Sequence, residues 1–387
     1  MLSVVDLFKE KGTLDELGFG SIRDAFADIL FPGTTTIHTR LKYVLFVPWL
    51  LRAAAREGGT LDEMSGRFAD REVRLIDALV RGGEREGVIG REARGRLRRT
   101  PASIYVGAMT TWGVANVSPW SGAYFRRQVD LQRLTARVTL ATDDPESRAE
   151  QLTDGFDPNL PPPPDDLLTT TTFTLDPAQR DYLIRRINES VPESMLAWLL
   201  THPPANVHAA KTVWDINNLA DAPEQLRDVV DHARRFSAVA QGASLAYHYH
   251  LTSLRRDRHQ RQEDQALTRG VEAIEQWEAK HDAATLRAWT TQDWVVFTNR
   301  GFRISSATCR FVDEWLRFLS SPGRTDLTSQ QARQIVERRE RVIKGSRARF
   351  SNRSALDRWD ASEPPGPLTF RWPVARRHIE DLTQGVS

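Results

Sequence analysis

Signals that start helices recur along most of this 387-residue chain. A serine, threonine or aspartate that can cap a helix precedes a proline or an apolar periodic run at four positions, Thr60, Thr100, Ser118 and Asp176. Apolar residues then recur every three or four positions, which is the spacing of one helix face. This pattern predicts a mainly α, multi-helical protein.

Later segments follow the same helical spacing, and strand signals are few. The later predicted helices cover about residues 223–258, 263–283, 305–319, 329–344 and 371–383. Residues 169–175 are rich in β-branched side chains, and residues 294–304 are typical of a small hairpin. We therefore expect a few short strands or one hairpin beside the helices.

Four consecutive prolines, Pro161–Pro164, mark the clearest break in the helical pattern. Prolines donate no backbone hydrogen bond and favour an extended polyproline conformation. The break predicts an N-terminal helical domain over residues 1–145, a connector over 146–172 and a C-terminal helical domain over 173–387. The alternative is a long ordered loop that crosses the surface of one domain.

Composition and the N-terminus limit the class of protein. The single cysteine, Cys309, excludes an internal disulfide framework and a cysteine-clustered metal site. The longest apolar run, Tyr43–Leu51, is far shorter than the roughly 20 residues that span a bilayer. The first residues lack the basic and apolar segments of a secretion signal, so we expect a cytoplasmic protein that contacts no membrane.

Few catalytic motifs can be proposed from the residues. The sequence has no phosphate loop, dinucleotide fingerprint, nucleophile elbow or His-Glu-x-x-His helix. His248 and His250 would lie about 200° apart on a helix, too far around it to share an ion. Glu278-Ala279-Lys280 resembles half of a restriction-type nuclease site, but it falls in a helical pattern rather than a strand. We expect no metal and no cofactor, and we favour a protein that is not an enzyme.

Arg40 stands inside an apolar helical pattern, which predicts that its side chain is partly buried. A buried arginine needs a carboxylate partner, and Asp24 or Asp28 on the preceding helix is the predicted one. The alternative is an anion site, in which the hydroxyls of Thr34–Thr36 converge with Arg40 and Lys42 on a phosphate.

The same region carries a resemblance to a known family. Its elements here are Leu17–Asp24, Leu30–Gly33, Thr39-Arg40, Tyr43 and Phe46–Trp49, with further matches in the rest of the chain. They resemble an uncharacterised bacterial family, whose residues in this chain include Arg23, Asp24, Arg40, Lys42, Tyr43, Trp49, Ser103, Tyr105, Trp112, Arg371 and Trp372. The resemblance implies a setting in phage-defence or restriction loci and supplies no catalytic residues. Because the chain begins close to the first motif, a missing N-terminal segment stays open.

Basic residues are unevenly distributed, although the formal net charge is only +2. Six of the 53 basic residues are lysine, which leaves 47 arginines, and codon bias alone can explain this excess. Residues 81–137 hold eleven arginines against four acidic residues, and residues 333–377 hold twelve basic residues against five acidic ones. The candidate nucleic-acid contacts are Arg94, Arg96, Arg98, Arg99, Arg126, Arg127, Arg347, Arg349 and Arg353.

The arginine clusters and the family setting together predict an accessory nucleic-acid-binding component of a defence or restriction-type system. Sequence-independent phosphate contact is favoured, and DNA is favoured over RNA. A helix-turn-helix-like unit within residues 60–112, with a short helix over Arg91–Arg99, is an alternative, as is a solvated charged face. Two other function classes stay open. One is a scaffold for a helicase or nuclease that uses some of the eleven tryptophans, and the other is a hydrolase or nuclease with a scattered site.

Overall fold

The computed structural model describes residues 15–93, 99–116, 121–141, 154–259, 264–281, 286, 289–290, 293, 295–321, 326–361 and 363–383. Within these ranges the chain forms fourteen α-helices and no strand, which confirms a mainly α fold. The helices are α1 Gly20–Leu30, α2 Tyr43–Arg56, α3 Leu61–Arg81, α4 Pro101–Thr111, α5 Ser121–Ala141, α6 Pro177–Ser190, α7 Met195–Thr201, α8 Glu224–His259, α9 Asp264–Lys280, α10 Val295–Thr298, α11 Ser306–Leu319, α12 Gln330–Lys344, α13 Arg353–Asp357 and α14 Trp372–Thr383. No helix among the described residues is both long and apolar enough to cross a membrane.

Three of the predicted helix starts have the expected caps. Thr60 and Glu63 form a capping box at α3, where the Glu63 amide donates to Thr60 Oγ1 at 3.3 Å and the Thr60 amide donates to Glu63 Oε2 at 2.8 Å. Thr100 caps α4 ahead of a proline at its first position, and Asp176 forms a capping box at α6. The start predicted at Ser118 lies outside the described residues. These side chains satisfy amides that a helix cannot bond internally.

The predicted hairpin over residues 294–304 is wrong. Val295–Thr298 forms α10, and Gly301, with φ of +78°, lies in the turn that follows. The β-branched segment 169–175 also forms no strand. The Thr171 amide donates to Ala78 O at 3.2 Å, and the Phe173 amide donates to Glu84 Oε1 at 2.7 Å. Its backbone therefore bonds the end of α3 and the residues after it instead of a neighbouring strand.

The described residues divide by contact into two compact units. Unit 1 comprises the described residues up to Ala27 and those within the ranges Thr212–Asp215 and Leu219–Phe370. Unit 2 comprises those of Asp28–Lys211, Ile216–Asn218 and from Arg371 onward. The described part of the Pro-rich segment, 154–172, lies within unit 2, so it does not separate the two units.

The core of unit 1 is built around the long helix α8. Trp277 on α9 and Trp315 on α11 are almost fully buried, and their indole N–H groups donate to the α8 carbonyls of Ala238 at 2.9 Å and Val239 at 3.1 Å. Gly242 lets α9 approach α8, because a Cβ at this position would lie 2.7 Å from Trp277 Cζ2. A larger residue at position 242 would force the two helices apart.

The core of unit 2 is formed by α2, α3, α4, α5 and the neighbouring segments. Tyr43, Phe46 and Tyr105 are buried, and the Tyr43 ring contacts both of the others. The Pro-rich segment is tied to this core, because the indole of Trp49 on α2 donates to Pro161 O at 2.7 Å.

Candidate functional site

Arg40 lies in unit 2, in the segment between α1 and α2, and forms a partly buried ion pair with Asp381 on α14. Arg40 Nε and Nη2 each lie 2.8 Å from Asp381 Oδ1, and the Leu41 amide donates to Asp381 Oδ2 at 2.8 Å. The Asp381 side chain is only 2% exposed. The predicted partner, Asp24 or Asp28, is therefore wrong, although the predicted kind of interaction is present.

Tyr105 on α4 fixes the backbone on which Arg40 is carried. Its hydroxyl accepts from the amides of Thr39 at 2.8 Å and Arg40 at 3.0 Å, and it donates to Arg40 O at 2.8 Å. Its ring stacks on His38, with 4.2 Å between the ring centroids and 9° between the planes. This motif tyrosine thus has a bonding role in unit 2 that needs no ligand.

The cations of the alternative anion site are bound to other groups. Lys42 Nζ donates to Thr174 O at 2.6 Å, and burial lowers the pKa of this amine. Thr34 Oγ1 donates to Phe31 O at 2.6 Å, while Arg40 is paired with Asp381. These contacts do not favour a phosphate at the threonine segment.

The remaining motif residues also bond within their own units. The indole N–H groups of Trp112 and Trp372 donate to Pro32 O and Ala210 O, each at 2.9 Å. Ser103 Oγ donates to Thr100 O at 2.8 Å, and Arg23 pairs with Asp24 at 3.1 Å. Arg371, with φ of +66°, donates to Asp28 Oδ1 at 2.5 Å and Thr34 O at 2.8 Å. The motif therefore describes residues that hold the fold together.

Two buried histidines adjoin Tyr105, and sequence reasoning missed this pair. His38 Nε2 lies 3.1 Å from Ile104 O, and His378 Nε2 lies 3.4 Å from His38 Nδ1. Burial lowers the pKa of His38 to about 3 and the pKa of His378 well below its usual value. Both imidazoles are neutral at pH 7, with His38 donating to the carbonyl and accepting from His378. Only the fold could bring residues 340 positions apart into this contact.

His248 and His250 lie on α8 and bond to different carbonyls. His248 Nε2 is 3.2 Å from Ala361 O, and His250 Nε2 is 3.2 Å from Leu327 O. Burial lowers the pKa of each to about 4. Among the described residues, no group of three or more histidine, cysteine or acidic side chains is placed to hold a metal ion. Glu278 and Lys280 lie on α9, as their helical pattern predicts.

The first arginine cluster is only partly within the described residues. Arg94, Arg96 and Arg98 lie outside them, as does most of the short helix predicted over Arg91–Arg99, while Arg99 is exposed in unit 2. Arg126 on α5 is exposed and Arg127 is half-buried. Arg126 lines a groove of about 650 Å³ with Arg133, Asp130, Thr60 and Glu63. This groove mixes both signs of charge.

Three cations of the second cluster serve the interior of unit 1. Arg349 donates to Glu16 and, at 2.9 Å, to the Tyr247 hydroxyl. Lys344 Nζ lies 3.2 Å from Oε1 of Glu340, a carboxylate with no exposed side-chain surface. Arg339 is buried and donates to Leu17 O at 2.8 Å and Ala307 O at 3.0 Å. Arg349, a candidate nucleic-acid contact, is thus committed to a structural network.

Other arginines of this cluster face solvent on α12 and just after it. The side chains of Arg338, Arg341 and Arg353 are 61%, 63% and 74% exposed, and Arg347 is also exposed. We call the exposed residues Gln331, Gln334, Arg338, Arg341, Val342 and Arg347 the α12 surface. Val342 is 66% exposed, which is high for an apolar residue. The surface therefore combines cationic, amide and apolar side chains.

Comparison with known proteins identifies one family. Residues 1–385 match DUF6361, which is described as a family of unknown function. No curated protein and no solved structure matches the chain significantly. The family match confirms the resemblance to an uncharacterised family, and the functional argument depends on the residues themselves.

Proposed function

We propose that this chain, which belongs to the family of unknown function DUF6361, is an accessory nucleic-acid-binding protein. In this proposal it binds the phosphates of duplex DNA through exposed arginines, and a partner protein carries out any chemistry. The resemblance noted in the sequence adds the setting, a bacterial defence or restriction-type system in the cytoplasm.

The exposed arginines of unit 1 carry the proposal. Residues 337–360 contain eight basic and four acidic residues. Arg339, Lys344, Arg349 and Glu340 bond within unit 1, which leaves five exposed arginines against exposed Asp357 and Asp360 and half-buried Glu337. Arginine also presents several N–H donors in a planar fork that suits phosphate oxygens.

Three of these arginines form ion pairs that a phosphate has to replace, among them Arg353 with Asp357 at 3.9 Å. Arg338 lies 3.0 Å from Glu314, and Arg341 lies 2.8 Å from Glu337. Exposed ion pairs of this kind contribute only about 0–1 kcal/mol each. A phosphate that replaces the carboxylate also releases counterions from the DNA, which favours binding at low salt. The free energy lost with these ion pairs is therefore small compared with the free energy gained by binding DNA at low salt.

Arg347 and Arg353 provide the sharpest test, because both are exposed and lie close together in the chain. We would measure the affinity of the full chain for a labelled duplex by fluorescence anisotropy at several salt concentrations. The log–log slope is expected to be about −0.9 for each phosphate contacted. The Arg347→Ala/Arg353→Ala variant should have a slope shallower by roughly two units and weaker affinity for every sequence.

Arg234→Ala is the matched control, because Arg234 is 54% exposed in unit 1 but lies on α8, outside the α12 surface. Its salt slope should equal that of the unmodified chain. A folded chain that binds no duplex at low salt would overturn the proposal and favour the scaffold for a helicase or nuclease. Cleavage of the duplex by the pure chain would instead favour the hydrolase alternative.

A further inference from the structure

Five exposed residues of α12 lie on one face of the helix. At about 100° per residue, positions 331, 334, 338, 341 and 342 fall within one sector of roughly 100°. All five residues are exposed. The opposite face packs into unit 1 through buried Ala332, Ile335, Val336, Arg339 and Glu340. The orientation of this face is therefore fixed by a packed core.

The residue types on this face are those that contact base edges. Glutamine can form paired hydrogen bonds to adenine, arginine can form them to guanine, and small apolar side chains contact the thymine methyl group. Gln331 and Gln334 lie toward the start of the helix, Arg338 and Arg341 follow, and Val342 ends the series. No acidic residue stands among these five.

We propose that the exposed face of α12 reads base pairs in the major groove of duplex DNA. This inference rests on the proposed function and adds sequence preference to it. The major groove, about 12 Å wide, admits an α-helix. Residues 331–342 extend over roughly 16 Å along the helix axis, which corresponds to about five base pairs.

Two exposed arginines follow α12, and in this inference they contact the DNA backbone. Gly345, with φ of +53°, ends α12, and a Cβ there would meet no atom within 4 Å. Arg347 and Arg353 follow this open turn and are exposed. Phosphate contacts of this kind fix the register of a helix in the groove without specifying sequence.

The two carboxylates that flank this face repel DNA, and DNA binding requires that the arginines leave them. Glu314 pairs with Arg338 and Glu337 pairs with Arg341, with side-chain exposures of 35% and 28%. Both arginines must turn away from these carboxylates to reach a base. The Glu337→Gln variant should therefore bind every duplex more tightly, because it removes a negative charge at the edge of the face.

Selection from a pool of duplexes with a randomised central region tests the inference. The full chain should enrich a motif of about five base pairs. The Gln334→Ala variant should lose about tenfold of its preference at one adenine-containing pair, while its affinity for the unselected pool stays the same. Val295→Ala is the control, because Val295 is 52% exposed on α10 of the same unit. It should leave the motif unchanged.

The outcomes separate this inference from the proposed function. Binding without an enriched motif, or a motif that Gln334→Ala does not alter, would overturn base reading by α12 and leave phosphate binding in place. Absence of all binding by the folded chain would overturn both. Circular dichroism of each variant establishes that the helical fold is retained.

Discussion

Arg40 and Asp381 lie 341 positions apart in the sequence and form a two-point ion pair inside unit 2. Burial raises the pKa of the Asp381 carboxyl, and the Arg40 guanidinium acts against this rise. The pair joins the segment before α2 to the C-terminal helix α14. Arg40 is therefore a structural residue, although the sequence pattern around it also resembles an anion site.

The first prediction concerns this ion pair. Arg40→Ala should lower the free energy of unfolding by about 3–5 kcal/mol, because it leaves the Asp381 carboxylate buried without its partner. Urea denaturation measures the change. Arg133→Ala, at an arginine 73% exposed on α5, should change stability by less than about 0.5 kcal/mol. Equal midpoints for Arg40→Ala and the unmodified chain would contradict the structural role of Arg40.

The second prediction concerns pH and the His38–His378 pair. Burial lowers the pKa of both imidazoles in the folded chain; Arg371 lowers that of His38 further, and His38, Arg377 and Arg40 lower that of His378 further. The unfolded chain binds protons below about pH 6.5 while the folded chain does not, so stability is present above that pH and falls below it. Each histidine should contribute a loss of about 1.4 kcal/mol per pH unit.

A variant of His378 isolates its share of this pH dependence. His378→Gln retains an N–H donor toward His38 but does not titrate. Its unfolding free energy, measured from pH 6.5 to pH 5, should fall less steeply than that of the unmodified chain by about 1 kcal/mol per pH unit. The same slope for both proteins would show that His378 is not buried in its neutral form.

The third prediction concerns Glu72, a carboxyl on α3 that is only 8% exposed. Burial raises its pKa to about 7, although the Ala102 amide donates to Glu72 Oε1 at 3.4 Å. A raised carboxyl pKa favours the protonated form, so stability is lost as the pH rises from the unfolded pKa through about 7. Glu72→Gln should therefore stabilise the chain at pH 8 by up to about 3 kcal/mol and have little effect below pH 5. Stabilisation of equal size at both pH values would rule out titration as the cause.

The fourth prediction compares two helical glycines. Gly242→Ala should destabilise the chain by about 1–3 kcal/mol, because its Cβ would press on the ring of Trp277. Gly66→Ala on α3 should instead stabilise it by up to about 1 kcal/mol, because a Cβ there meets no atom within 4 Å. Thermal unfolding of the two variants should give melting temperatures that shift in opposite directions. A shift of the same sign in both would contradict the close packing of α8 and α9.

Local features of the fold could be predicted from the sequence, whereas distant contacts could not. The starts of α3, α4 and α6 depend on caps and prolines within four residues, and the sequence alone identifies them. The contact of Arg40 with Asp381 depends on the tertiary fold, so no local pattern identifies it. The hairpin prediction failed because residues 295–298 share β-branched and aromatic residues with strands, yet form a helical turn.

The candidate site shows the same division. The sequence identified the arginine-rich segment 333–377, but it could not separate buried Arg339 and the internally bonded Arg349 from exposed Arg347 and Arg353. The exposed sector of α12 follows from helical spacing alone once the buried face is known. The sequence alone therefore did not show which of these arginines are buried and which face solvent.

Photocrosslinking at position 342 tests the central claim, DNA binding through α12, most directly. The crosslinking residue p-benzoylphenylalanine replaces Val342 in one protein and Val295, another exposed valine of unit 1, in a second. Irradiation with a labelled duplex at low salt should give a DNA adduct with the first protein and little with the second. A duplex that both proteins bind, but that forms no adduct at position 342, would contradict binding through α12.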